Sequence, residues 1–433
     1  MAIGWVARAA DRRADRYRWY ALGVTTFSQG GTVILSAAIG PLAPFLVADF
    51  DISLAQIGLF STAIYLAGTF SSLVGGRAAD RFGERWVLIV SGLGAGLAGL
   101  LVILMGSYTG LLVGFFLLGL FNGIQNPAGS AAIMRWFARQ SRGAAMGIRQ
   151  TGVPIGGMIA ASVFPAVALA AGWRPAYAIA VTVALTAATL IFLSYRDPRR
   201  EDPAVSEPAV SLAAMVRDRR YWWLAMTYNG QIVCQFATNA YFVLFLTQTL
   251  DVPVGVAGGF LALVNLVAIG ARIGWGIISD RVFRGARRPV LSIIIGLTVA
   301  SALLAAALPS RAPAGLAGLL AIALGVSAFS WTGIYGTLVI ETAGRTSAAT
   351  AVALVHVFGG FGSFLGPPAF GWVVDRTGSF SIAWLLVAAA ALLGLVATFQ
   401  VTERRSVVRA GVDPPAPVPS AHLVGHSTRE ESR

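Results

Sequence analysis

Lysine is absent from these 433 residues, so all 32 basic positions are arginine. Cysteine occurs once, at Cys234, and histidine three times. One cysteine forms no intrachain disulfide, and so few histidines leave little material for a metal cluster or a catalytic triad. No phosphate-binding loop is present either, so the sequence argues against an enzyme and implies no metal or cofactor. Charge is scarce. It makes up 12% of residues, against about 25% in soluble domains, with 56% hydrophobic residues and a mean hydropathy of +0.73. That composition excludes a soluble fold. The net charge of +13 would suit nucleic acid, but the arginines are dispersed over short loops, so no nucleic-acid partner is expected. No cleavable signal is expected either. The basic tail ending near Arg18 leads into roughly 28 mostly apolar residues, too long for a signal's apolar region.

What the chain has instead is apolar helix. At roughly 20 residues per membrane crossing, the pattern predicts twelve spans, near 19–48, 55–79, 86–105, 108–134, 142–170, 174–195, 220–249, 254–279, 288–308, 314–341, 346–370 and 380–401. Grouped against them, 27 of the 32 arginines fall at one end of the spans. Three (Arg174, Arg311, Arg376) fall at the other end, and Arg149 and Arg272 lie inside. Such a bias predicts both termini in the cytoplasm. The lysine-free, arginine- and alanine-rich composition points to a bacterial plasma membrane. The expected organisation is a cytoplasmic tail (1–18), a six-helix bundle (19–195), a cytoplasmic linker (196–219), a second bundle (220–402) and a disordered tail (403–433).

The halves repeat each other. Span 2 ends Gly76-Arg-Ala-Ala-Asp80-Arg81-Phe-Gly83-Glu-Arg85, and span 8 ends Gly276-Ile-Ile-Ser-Asp280-Arg281, followed by Gly285, Arg287 and Arg288. Spans 5 and 11 each carry a Gly/Pro cluster, at Gly152-Val-Pro154-Ile-Gly156-Gly157 and at Gly359 to Pro368. With this signature and its degenerate copy, the chain resembles the major facilitator superfamily over essentially its whole ordered length. The resemblance implies an all-α membrane protein of twelve transmembrane helices in two pseudo-symmetric six-helix bundles. It also implies a cytoplasmic gate at Gly76, Asp80, Arg81, Gly83, Arg85, Asp280 and Arg281, and a monomer. Glu341, closing span 10, is expected to be a gate partner.

Spans 3, 6, 9 and 12 hold no Asn, Gln or charge in their interiors. Large polar residues concentrate elsewhere: Gln29; Asn122, Gln125 and Asn126; Arg149 and Gln150; Tyr228, Asn229, Gln231, Gln235 and Asn239; Asn265 and Arg272; and His356. Unpaired polar groups are costly in lipid, so these face protein or a wet cavity. The trios Asn122/Gln125/Asn126 and Tyr228/Gln231/Gln235 each occupy one helix face. Either reading, cavity lining or interhelical hydrogen bonding, fits that spacing.

Arg272 lies eight residues before Asp280, roughly 12 Å into the membrane. Arg149 lies seven residues after Arg142, roughly 10 Å in. No Asp or Glu lies at comparable depth. Unneutralised guanidinium forks in a wet cavity suit carboxylates, although either arginine could instead snorkel to the interface. The expected substrate site is Arg272, Arg149, Gln29, Asn122, Gln125, Asn126, Gln150, Tyr228, Gln231, Gln235, Asn265, Trp331, Tyr335 and His356. The expected function is a secondary transporter, such as a symporter, that moves a small organic anion by rocker-switch alternating access, coupled to protons or to anion exchange. The alternative is an exporter of amphipathic drug-like compounds. Against it stand the Gly152-Val-Pro154 order in span 5 and the lack of a mid-membrane acid.

Overall fold

The computed structural model describes residues 2–137, 142–197, 212–310, 312–343 and 348–401. For several of these, Asp80 among them, only the backbone is described. The expected linker core (198–211) and the tail beyond residue 401 lie outside the described residues.

Among the described residues every regular element is a helix. Eight spans are single helices: span 2 (Leu54–Phe82), 3 (Glu84–Leu104), 4 (Tyr108–Trp136), 6 (Trp173–Ser194), 7 (Arg219–Thr249), 8 (Val254–Arg281), 9 (Arg287–Ala307) and 12 (Phe380–Gln400). Four are broken: span 1 (Ala2–Ala37, Ile39–Phe50), 5 (Arg142–Gln150, Gly152–Ala171), 10 (Ala314–Val326, Thr332–Ala343) and 11 (Ala348–Gly359, Phe361–Thr377). A short helix, Leu212–Arg217, precedes span 7, whose first turn is capped by Asp218 accepting from the Arg220 amide. The breaks in spans 5 and 11 fall at the Gly/Pro clusters. The break in span 10 departs from the uninterrupted helix expected over 314–341. It sits among Gly325, Ser327, Ser330 and Gly333, small residues of the kind that let a helix kink.

Ten helical segments are long and apolar enough to cross a membrane. Two spans miss that standard for separate reasons. Span 10 is divided, and span 7 carries Tyr228, Asn229, Gln231, Gln235 and Asn239 in its interior. The polar-free spans show where lipid lies. Span 3 exposes Val90, Leu93, Leu97, Leu100 and Leu104 at helical spacing, and span 12 exposes Leu385, Leu386, Leu392, Leu393, Val396 and Phe399. Their opposite faces bury small residues, such as Gly92, Ala95 and Gly99 on span 3, against the bundle. Apolar all round and small on one face, these helices belong at the periphery.

Spans 1–6 pack on one another, as do spans 7–12. Span 4 meets span 2 so closely that a Cβ at Gly119 would lie 2.2 Å from the Ile64 carbonyl oxygen. Between the halves, spans 2 and 11, 5 and 8, and 1 and 7 are in contact. Those contacts cluster at the arginine-poor end. There Gly371 lies against Leu54, Gly258 against Ala161, and Gly40 against Asn239. Tyr65 and Phe236 meet edge-on at 4.2 Å, deeper in. The pieces toward the arginine-rich end, Arg142–Gln150, Thr332–Ala343 and Ala348–Gly359, pack chiefly within their own halves. Among the described residues the two bundles are therefore in contact chiefly at the arginine-poor end.

Candidate functional site

Span 7 presents Tyr228, Gln231 and Gln235 along one face toward the break in span 10. The Tyr228 ring lies 5.1 Å from Trp331, 5.5 Å from Tyr335 and 4.8 Å from His356. The Trp331 indole N–H donates to Gln235 Oε1 at 3.2 Å, and the Tyr335 hydroxyl donates to the Leu224 carbonyl at 2.8 Å. Trp331 and Tyr335 are fully packed, whereas His356 is exposed.

Arg272 approaches the same break from span 8. Its Nε donates to the Phe329 carbonyl at 3.0 Å, and Trp275, one turn on, donates to the Val326 carbonyl at 2.8 Å. Unwinding at residues 327–331 leaves backbone carbonyls that need donors, and span 8 supplies two. The two terminal nitrogens of Arg272 make no hydrogen bond or ion pair among the described residues. Its side chain is half-buried, so the fork faces accessible space.

The other interior arginine is placed differently. Arg149 is fully buried between spans 4 and 5, with Nη1 donating to Asn126 Oδ1 (3.1 Å) and Ser130 Oγ (3.4 Å) and Nη2 to the Gln125 carbonyl (3.4 Å). Its Nε has no partner. Asn126, which covers it, is exposed. The remaining polar residues of this half serve one another: Gln29 donates to Gln150 Oε1 at 3.0 Å, Gln125 to Ser28 Oγ at 2.8 Å, and Asn122 to the Thr32 carbonyl at 3.2 Å. Asn265 lies away from the aromatic cluster. It donates to the Leu261 carbonyl and faces Gly157 across the halves.

Gln231 stands out. It is wholly buried, and neither its Nε2 nor its Oε1 has a hydrogen-bond partner among the described residues. An unsatisfied buried amide costs about 1–3 kcal/mol. Gln231→Leu is therefore expected to raise the melting temperature of the purified protein while lowering its transport rate. A fall in melting temperature would show that the amide is satisfied and packs as structure.

At the arginine-rich end the signature loop clasps its own half. Gly83, at φ 90°, caps span 2 and starts span 3, and the Arg85 amide donates to Asp197 Oδ1 at 2.8 Å. Arg85 also reaches the Phe192 carbonyl, and Arg81 lies over the Phe82 ring. The Asp80 side chain lies outside the described ones. Buried Glu84 pairs with Arg135 at 2.9 Å, tying span 3 to the end of span 4. In the second half Arg287 is the hub, bound to Asp280, Ser279 and Glu341. Arg281 is exposed beside this hub. The two loops thus carry the same link with inverted charge: acid on span 3 to base on span 4, base on span 9 to acid on span 10. Sequence reasoning missed Glu84, Arg135 and Asp197, because a pair has no signal until the helices are brought together.

A groove of about 250 Å³ lies between spans 7, 11 and 12, lined by Asn229, Val233, Leu365, Ala369, Leu386 and neighbours. It holds none of the expected site residues.

Among the described residues, two six-helix halves that meet at one end define a polytopic, all-helical membrane protein. The chain belongs to the Major Facilitator Superfamily, whose family model matches residues 25–367. It is similar to the "Hexuronate transporter" of Bacillus subtilis, at 24% identity over 84% of this chain and 90% of that protein. It is also similar to the "Probable sulfoacetate transporter SauU" of Cupriavidus necator, at 25% identity over 82% of this chain and 87% of that protein. Among solved structures, a bacterial homologue of the human lysosomal transporter Spinster, in an inward-facing and occupied conformation, shares the fold with a TM-score of 0.75. That match has 16% sequence identity and covers 89% of this chain and 97% of the other.

Proposed function

We propose that this chain is a secondary active transporter of a small organic anion, a mono- or dicarboxylate, working by alternating access. Arg272 carries the reading. Its Nε is held by the Phe329 carbonyl, and its two terminal nitrogens have no partner among the described residues and face accessible space. A fork fixed at one edge is oriented for a carboxylate at the other. Tyr228, Gln235 and His356 form its wall, backed by the buried Gln231, Trp331 and Tyr335. Arg149, Asn126, Asn122, Gln125, Gln29 and Gln150 supply the facing half, with Arg149 sealed in this conformation. Hexuronate and sulfoacetate, named for two relatives, are small organic acids, which supports the same class.

The arginine-rich end is cytoplasmic in this reading, the membrane is the bacterial inner membrane, and the conformation is inward-facing. Asp80, Arg81, Arg85, Asp280, Arg281 and Glu341 close the cytoplasmic end in the opposite state. The chain works as a monomer, with bundles at 19–195 and 220–402 joined by a cytoplasmic linker.

Uptake into proteoliposomes tests the whole reading. Concentrative uptake of a carboxylate is expected, driven by an imposed pH gradient or by a second anion on the far side. Transport of lipophilic cations with no carboxylate uptake would replace it with drug export.

A further inference from the structure

Span 2 begins at the arginine-poor end with Ser53 as its cap. The Ser53 amide donates to Gln56 Oε1 at 2.8 Å, and the Gln56 amide donates to Ser53 Oγ at 3.2 Å. That box leaves the amides of Leu54 and Ala55 without a partner in their own helix. The partner comes from the other half of the molecule. Asp375, in the last turn of span 11, accepts from Leu54 N–H through Oδ1 at 3.0 Å and from Ala55 N–H through Oδ2 at 2.8 Å. It forms no ion pair among the described residues, so both oxygens serve this cap. The Tyr241 hydroxyl, fully buried on span 7, lies 2.7 Å from the Leu54 carbonyl and 2.8 Å from that of Pro367. Leu54 is thus gripped by the second half at its N–H and at its C=O.

Spans 2 and 11 run antiparallel, so the carboxylate at the end of one meets the partial positive charge at the start of the other. Opening this end must break the two Asp375 bonds together. Asp375 is exposed, so water can replace it when they break, and the contact is reversible. We propose that Asp375 is a gating residue. Its carboxylate latches the arginine-poor end shut by capping span 2 across the halves, and it thereby sets the balance between the two states of the transport cycle. This rests on the alternating-access reading and is independent of the substrate's charge.

The test is a distance between spin labels at Gly106→Cys and Ser310→Cys, both exposed in arginine-poor loops, with buried Cys234 replaced by alanine. The full-length protein is measured in lipid nanodiscs. The parent is expected to populate mainly the short distance. Asp375→Ala should raise the ratio of long to short about tenfold, the effect of losing charged-group hydrogen bonds. Asp375→Asn, which keeps the shape and one acceptor, should raise it less and carries the test if the alanine variant does not fold. Tyr241→Phe should shift it in the same direction. Stabilisation by carboxylate ligands should persist in Asp375→Ala, which separates the latch from the anion site. An unchanged distance distribution in both Asp375 variants overturns the proposal, and so does a lower melting temperature without a shift in distance.

Discussion

Arg272→Ala is expected to abolish carboxylate uptake and to erase the thermal stabilisation that a carboxylate gives the wild-type protein. A bidentate guanidinium–carboxylate contact rests on hydrogen bonds worth about 1.5–3 kcal/mol each. Losing the pair removes about 3–6 kcal/mol, which weakens binding by roughly 100- to 20,000-fold, since about 1.4 kcal/mol is a factor of ten. The substitution also strips the Phe329 carbonyl of its donor. That loss is partly offset by removing a half-buried cation that has no acidic partner at its depth. The folded state should therefore survive, which makes ligand-induced stabilisation a clean readout. Arg272→Lys should recover only part of the binding, because an ammonium group cannot hold Phe329 and present a planar fork at once. Stabilisation of Arg272→Ala by a carboxylate to the wild-type extent would reduce Arg272 to a support for the broken span 10.

Gly40→Ala is expected to force the arginine-poor end apart. A Cβ at Gly40 would lie 1.7 Å from the Asn239 carbonyl oxygen and 2.9 Å from its carbon. Both contacts are to the backbone of a helix, so no side-chain rotation relieves them. Span 1 must move away from span 7. Overpacking of this kind costs about 1–3 kcal/mol, which shifts a two-state balance by roughly 5- to 150-fold. The same label pair should report the long distance as the main population, and steady-state uptake should fall at least about tenfold because one half of the cycle is disfavoured. The short distance persisting with normal uptake would mean that spans 1 and 7 slide past each other without opening the end. Unlike Asp375→Ala, which removes an attraction, Gly40→Ala adds a repulsion at a separate contact. Agreement between the two would identify the arginine-poor interface as the element that moves.

Several features were already legible along the chain. Spans 3, 6, 9 and 12 lack polar interiors, and spans 3 and 12 do expose continuous apolar stripes. The Gly/Pro clusters of spans 5 and 11 mark where those helices break. Tyr228, Gln231 and Gln235 share a face because a helix fixes which residues do. The break in span 10 escaped notice, since Gly325, Ser327, Ser330 and Gly333 interrupt no apolar run. With it went the reason that Arg272 and Trp275 stand one turn apart: each donates to a carbonyl that the break frees. The Arg149 environment was equally hidden. Its partners Asn126 and Ser130 lie on another helix, and nothing in the spacing along span 5 selects them.

The sequence by itself determined the membrane class, the twelve spans, their division into two similar halves and the helices that meet lipid. Hydrophobic length and polarity are properties of a single segment, set by bilayer thickness and by the cost of unpaired polar groups in hydrocarbon. Only the tertiary structure decided which polar groups satisfy one another and which stay free. Gln29 finds Gln150 and Asp375 finds Leu54, while the terminal nitrogens of Arg272 find no partner among the described residues. Those outcomes depend on how helices far apart in the chain dock. Docking is governed by close contacts at glycines such as Gly40 and Gly119, whose partners the one-dimensional pattern does not contain.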